Sequence, residues 1–388
     1  MESCGGMNNK PVNPYLPTII KEIKSSPVYL RFLQTLKDYD IKTIYDSHAH
    51  ISSGKKDVIA GAPPDLIPQN PFSVADVNYL YEELFRKEGI DFFSLVFDTP
   101  LPAYDLAKKN DQLLSVCESM SPDASQRVIP FAVVTPGMDS RRIQAWVDGG
   151  VKGFKMTPRM ASSSVSRGVI SDISLFEMLN PEALAIANDE GLPMVIHLPQ
   201  LVVSPRMKQT LKDELVEIAI KYPNVKIILA HLGQAQTPAK MEDLLDLIEH
   251  NDLYESIWMD ISAVTIPSVI AMALESKVKL LFGTDIDFAL VERGRYIMFK
   301  VQNGQRVLAQ EDDSGSVITA LVSQNFGEQL KSFALEEGIV MDAPLLLFQF
   351  EGVLDAVERL QQKGMSKTEI KSILENLFYG NAQCIVGV

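Results

Sequence analysis

"IYDSHAHIS", residues 44–52, sets two histidines one residue apart inside an apolar stretch. The chain has only five histidines in 388 residues, so the pairing needs a reason. The run "KTIYDSHAHI" (42–51) reads as a strand buried on both faces. Side chains alternate across a strand, so residues two apart share a face. On that rule His48 and His50 point the same way at the strand's C-terminal end, with Asp46 deeper on the same face. Two imidazoles converging from one strand make half of a metal site. An H-x-H pair alone is a weak signal, and its weight depends on what stands at the other strand ends.

Seven further apolar runs follow: 90–98, 128–136, 151–156, 193–199, 225–233, 255–262 and 278–285. Helical patterns lie between most of them, among them "VADVNYLYEELFRKEG", "LKDELVEIAIKYPN", "MEDLLDLIEHND" and "PSVIAMALESK". Alternating strands and helices imply right-handed crossovers and a parallel sheet. Eight such units over about 240 residues suit a (β/α)8 TIM barrel, an α/β fold. A doubly wound open sheet is the alternative, but no G-x-G-x-x-G follows the first strand.

The rest of the chain decorates this core. Residues 1–41 form an N-terminal helical extension, and 42–388 the barrel domain. A long Gly/Pro-rich loop (53–73) follows the first strand, on the face where barrels carry active-site lids. An insertion of about 292–315 follows the eighth strand, with Asn303-Gly304 signalling a hairpin. C-terminal helices are expected over about 323–378.

Composition excludes several classes. A net charge of -14 repels phosphate backbones, so nucleic acid is a poor partner. No run of 18 apolar residues offers a membrane span, and the first residues lack the basic-then-apolar pattern of a signal peptide. Cys4, Cys117 and Cys384 are too few and too scattered for a disulfide framework or a C-x-x-C zinc site. The expectation is a cytoplasmic protein acting on a small molecule, with homo-oligomerisation left open.

His197 ends the fifth run, His231 the sixth and Asp285 the eighth, so four of the five histidines fall at strand ends. His250 sits at a helix end, a common surface placement, and is given no function. Lys155 ends the fourth run, where an amine is costly to bury unless it reaches the barrel mouth. Arg159 just beyond it is either a fork for an acidic substrate group or a surface residue. Asp260 ends the seventh run and is either a partner orienting a ligand histidine or a capped loop residue.

The combination "DSHAH … IHLP … AHLG … GTD" resembles the amidohydrolase superfamily over roughly residues 43–290. It is most similar to the amidohydrolase-related branch, which includes the carboxymuconate-semialdehyde decarboxylase group. The resemblance implies that His48, His50, His197 and Asp285 bind a divalent metal, most simply Zn. It makes His231 a catalytic acid/base or a ligand of a second ion, and Asp285 a catalytic proton acceptor as well. Lys155 is then either a substrate-binding amine or, once carbamylated, a bridge between two ions. Imidazoles and a carboxylate suit zinc with an open position, and such an ion lowers the pKa of water to about 7.

Three functions compete on this reading. A metal-dependent hydrolase acting on an amide, lactone or ester is preferred. A non-oxidative decarboxylase on the same scaffold is the alternative. A non-catalytic binding protein is disfavoured because the full ligand set is present.

Overall fold

The computed structural model describes residues 13–52, 71–161, 173–199, 205–302, 305–310, 317–323, 328–339 and 341–387. Nine strand pieces run in order: β1 Thr43–Ile51, β2 Asp91–Asp98, β3 Val128–Pro130, β4 Ala132–Val133, β5 Phe154–Met156, β6 Pro193–Ile196, β7 Lys226–Leu229, β8 Ile257–Asp260 and β9 Lys279–Leu281. Every ladder between them is parallel. β3 and β4 are one stave interrupted at Phe131, whose N–H bonds Val96 O at 2.9 Å. The eighth stave closes on the first: Ser47 N–H donates to Phe282 O (2.8 Å), Asp285 N–H to His48 O (2.8 Å) and His50 N–H to Ile286 O (2.6 Å). The sheet is therefore a closed eight-stave (β/α)8 barrel, which excludes the open-sheet alternative.

Helices cover the outside between successive staves, and Leu345–Gln362 supplies the last after the insertion. Side chains sort by parity. Ile44 packs outward with the helix layer, while Tyr45 faces the interior with Leu95, Phe97, Val195, Ile228 and Trp258. The helix Asn381–Val386 closes one end, placing Ala382 and Ile385 in this interior cluster.

One irregularity decides the site. The pairing of β1 with β2 shifts from Asp46↔Ser94 to Ala49↔Val96, so a single extra residue is accommodated between them. Such a bulge reverses the alternation. His48 and His50 consequently face inward against Phe97, whereas Asp46 turns outward to Tyr81. The expectation that Asp46 shares the histidines' face is corrected by this bulge, because strict alternation holds only in an unbroken strand.

The N-terminal segment forms two helices, α1 Leu16–Ser25 and α2 Pro27–Asp38. Pro27 lacks the N–H that would continue the first helix, and Ser26 caps the second by accepting from Val28 N–H. Phe32 of α2 stacks on Phe350 at 4.2 Å and meets Phe378 edge-on at 5.9 Å. Tyr81 lies on α3, Val74–Leu84, between the first two staves.

The insertion is a three-stranded antiparallel sheet of β10 Gly294–Gln302, β11 Gln305–Leu308 and β12 Ile318–Ser323. It therefore extends past the boundary of about 315, and the helix expected from about 323 starts at Glu328. Asn303-Gly304 and most of the 53–73 loop lie outside the described residues. The sheet rests on the loops after the sixth and seventh staves: Thr319 Oγ1 donates to Gln236 O at 2.9 Å, and Tyr296 N–H to Thr265 Oγ1 at 3.2 Å. Among the described residues, no helix is long and apolar enough to cross a membrane.

Candidate functional site

His48, His50 and Asp285 converge at the C-terminal mouth of the barrel. His48 Nε2 stands 3.2 Å from His50 Nε2 and 3.6 Å from Asp285 Oδ1, and His50 Nε2 is 3.2 Å from that same oxygen. Lys155 Nζ comes within 3.0 Å of His48 Nε2 and lies over the Phe97 ring. Its side chain is 1% exposed, so a buried amine faces the convergence.

The rings are oriented from behind. His48 Nδ1–H donates to Asp260 Oδ2 at 2.8 Å, leaving the Nε2 lone pair aimed at the convergence. His231 Nδ1–H donates to Ser262 O at 2.9 Å, and its backbone N–H donates to Asp260 Oδ1 at 3.0 Å. Ser262 Oγ donates to Asp260 Oδ1. His48, His231 and Asp260 also group tightly enough to suggest a second ion. Their facing atoms are already hydrogen-bonded to one another and to Ser262, so this grouping is a supporting network. Asp260 thus takes the orienting part, and is buried with no exposed surface.

The ends of three staves are left-handed: φ is 55° at His231, 54° at Ala263 and 58° at Asp285. A non-glycine residue there costs about 1–3 kcal/mol, a strain that concentrates at sites of function. Gly283 lets the eighth stave pass close to the first, since an added Cβ would lie 2.9 Å from His48 Cβ.

The charges follow from burial and neighbours. Burial, then the Lys155 charge, push His48 down to about 3, so it stays neutral with its lone pair free. Burial lowers His50 as well. Burial pulls Lys155 down to about 8, against the pull of Asp260 and Asp285. Burial alone would raise Asp285, but the His50 hydrogen bond and the charges of His231 and His48 hold it well below the usual carboxylate range. Burial and the Asp285 charge push Asp287 up to about 7 and the Tyr296 hydroxyl up to about 12.

His197 stands outside the convergence. Its stave ends at Ile196, and the ring turns to Leu198 O (3.1 Å from Nδ1) and Gln234 Nε2 (3.3 Å from Nε2). It meets the His231 ring edge-on at 5.0 Å. Arg159 is exposed on a short turn, Pro158–Met160, yet its charge still helps depress His197. Sequence reasoning missed Ser262, Gln234, Asp287 and Tyr296. Ser262 is the last residue of the seventh run and carries no signal of its own, Gln234 lies just past the sixth, and Tyr296 enters from the insertion. Asp287 carries a positional signal only, two residues past Asp285.

Imidazole nitrogens and a carboxylate oxygen fit a borderline divalent ion. Among the described residues buried His50 Nδ1 has no partner, so the ring's polar contacts are those of its inward nitrogen, Nε2, toward His48 and Asp285.

The sequence profile of the amidohydrolases matches residues 45–296, which includes all of these residues. No curated protein matches the chain in sequence. Similar solved structures include a putative 2-pyrone-4,6-dicarboxylic acid hydrolase from Pseudomonas putida, at 14% identity over 89% of this chain and 98% of that one, TM-score 0.47. A 4-oxalomesaconate hydratase from Rhodopseudomonas palustris is 15% identical over 89% and 95%, TM-score 0.46. An amidohydrolase from Burkholderia multivorans with bound Zn is 12% identical over 89% and 99%, TM-score 0.44. The barrel itself is established by the chain's own strand pairing. With the profile spanning well over half of its residues, the chain belongs to the amidohydrolase family and is an enzyme of the amidohydrolase type.

Proposed function

We propose that this enzyme is a metal-dependent hydrolase acting on an amide, lactone or ester bond of a small molecule. The observation that carries the reading is the convergence of His48 Nε2, His50 Nε2 and Asp285 Oδ1 at the barrel mouth. These three residues would hold one divalent ion, most simply zinc. When bound, such an ion activates water as a nucleophile and polarises a carbonyl oxygen. Asp285, kept ionised at neutral pH, would accept a proton. His231, its Nδ1 fixed by Ser262 and its ring beside that of His48, would be the proton-transfer residue. His197 completes the ligand set or joins His231 around a second ion.

A decarboxylase on the same scaffold is the second reading, and one observation favours it. Among the described residues Lys155 Nζ meets a neutral imidazole and forms no ion pair with a carboxylate, so the amine would be open to a substrate carboxylate. Arg159 would add a second cation at the mouth.

Metal analysis of the purified chain tests the proposal. One or two equivalents of a transition metal are expected, and His50→Ala should lose it while the barrel stays folded. A wild-type protein that neither carries nor takes up zinc, manganese or iron would overturn the reading. Two equivalents, one of them lost in Lys155→Ala, would support a carbamylated lysine bridge. A single equivalent retained in that variant would support the free amine.

A further inference from the structure

Asp46 is fully buried with no exposed surface, behind the site rather than in it. Its carboxylate accepts four hydrogen bonds. Oδ1 takes His48 N–H at 3.0 Å and Thr284 N–H at 2.9 Å. Oδ2 takes Thr284 Oγ1–H at 2.6 Å and the Tyr81 hydroxyl. Tyr81 and Thr284 also contact each other through their oxygens, at 3.0 Å.

The identity of these donors matters more than their number. His48 is on the first stave, Thr284 immediately precedes Asp285 at the end of the eighth, and Tyr81 is on the outer helix α3. His48 and Asp285 come from opposite ends of the barrel's strand order, and their backbones meet only at the closing seam. Three backbone bonds hold that seam, and Asp46 ties it from the outside with a carboxylate that grips both sides. Bonds to a charged acceptor are stronger than neutral ones and more directional.

The bulge makes this arrangement possible. Tyr45 faces inward, so plain alternation turns Asp46 to the helix layer, where Tyr81 and Thr284 reach it. In an unbroken strand His48 and His50 would follow it outward. The extra residue after Asp46 turns both histidines inward instead. A single irregularity therefore aims the ligands inward and leaves the clamp that fixes them behind.

We propose that Asp46, with Tyr81 and Thr284, is a positioning clamp that sets the spacing between His48 and Asp285 and so tunes the affinity and coordination geometry of a divalent ion. The inference rests on the metal reading of the site. Asp46 touches neither substrate nor ion, so it is a positioning residue. Outer partners of metal ligands typically change affinity by about 10–100-fold when removed.

The test uses the full chain, stripped of metal and titrated with Co(II), whose visible d–d absorption reports coordination geometry. Affinity is read by competition with a chelator, and the stability of the stripped protein by thermal unfolding. Asp46→Asn should bind Co(II) about 10–100-fold more weakly, with an altered d–d band at saturation. Tyr81→Phe removes a single donor and should weaken binding severalfold with a smaller band shift, so it carries the test if Asp46→Asn fails to fold. Wild-type affinity and an unchanged band in the folded variants would overturn the clamp while leaving the metal reading intact. A lower melting temperature with an unchanged band at saturation would also overturn it, since a merely structural role predicts that result. A wild-type chain that binds no Co(II) would bring down both the metal reading and the clamp.

Discussion

Lys155 carries an amine buried away from its ordinary solvation. Burial pulls its amine from 10.5 to about 8 in the fold. A base with a depressed native pKa destabilises the fold when both states are protonated, below about pH 8. The penalty then fades as pH rises through 8 toward 10.5, because the native amine has lost its proton while the unfolded one keeps it. The shift corresponds to a penalty on the order of 3 kcal/mol at neutral pH. Lys155→Met should therefore stabilise the metal-free protein at pH 7, and the gain should vanish by about pH 10.5. Denaturant midpoints across that range check it, and a destabilised variant at pH 7 would contradict the buried-amine account. At this scale much was legible in the sequence. Histidines and an aspartate at the ends of apolar runs located the mouth, and Lys155 stood out as a costly residue to bury. Asp260 was recognisable as a candidate, but its hydrogen bond to His48 spans 212 positions and has no local signature.

The bulge in β1 and the close pass of the eighth stave determine the geometry at the scale of elements. Alternation is a rule about regular strands, so the sequence could not reveal an extra residue at positions 46–49. β12 was likewise hidden, since its residues fall at the join between the expected insertion and the expected helices and only pairing with β10 makes them a strand. Gly283 is the point where the closing seam is tightest. An added Cβ would lie 2.9 Å from His48 Cβ, 3.1 Å from Ser262 Cβ and 3.1 Å from Ser47 Oγ. None of these neighbours is the free end of a flexible chain. Gly283→Ala should cost about 1–3 kcal/mol, as overpacking does, and it should displace His48 from Asp285. Chemical denaturation and metal stoichiometry together test this, and a variant with wild-type values for both would show that the seam is slack.

Across the whole molecule, the N-terminal helices are packed into the outer core. Phe32 stacks on Phe350 and touches Phe282 and Phe378, which come from distant parts of the chain. Phe32→Ala should cost about 3–5 kcal/mol if the extension and barrel unfold together. A main transition that does not move, with a separate early one, would show instead that the extension is an independent unit. The barrel was legible at this scale because every stave is a short apolar run buried on both faces. The arrangement of the insertion was not, because its contacts with Gln236 and Thr265 join segments that carry no shared pattern.

The helix Asn381–Val386 has a consequence in time rather than in space. Ala382 and Ile385 fill the barrel interior, Asn381 donates to Leu280 O at 2.9 Å, and Gln383 bonds Tyr45 of the first stave. A ribosome that has delivered all eight staves has therefore not yet delivered the residues that finish their core. Contacts so remote along the chain close late and slowly, so a nascent chain must keep its first stave's tyrosine waiting until the helix Asn381–Val386 has emerged.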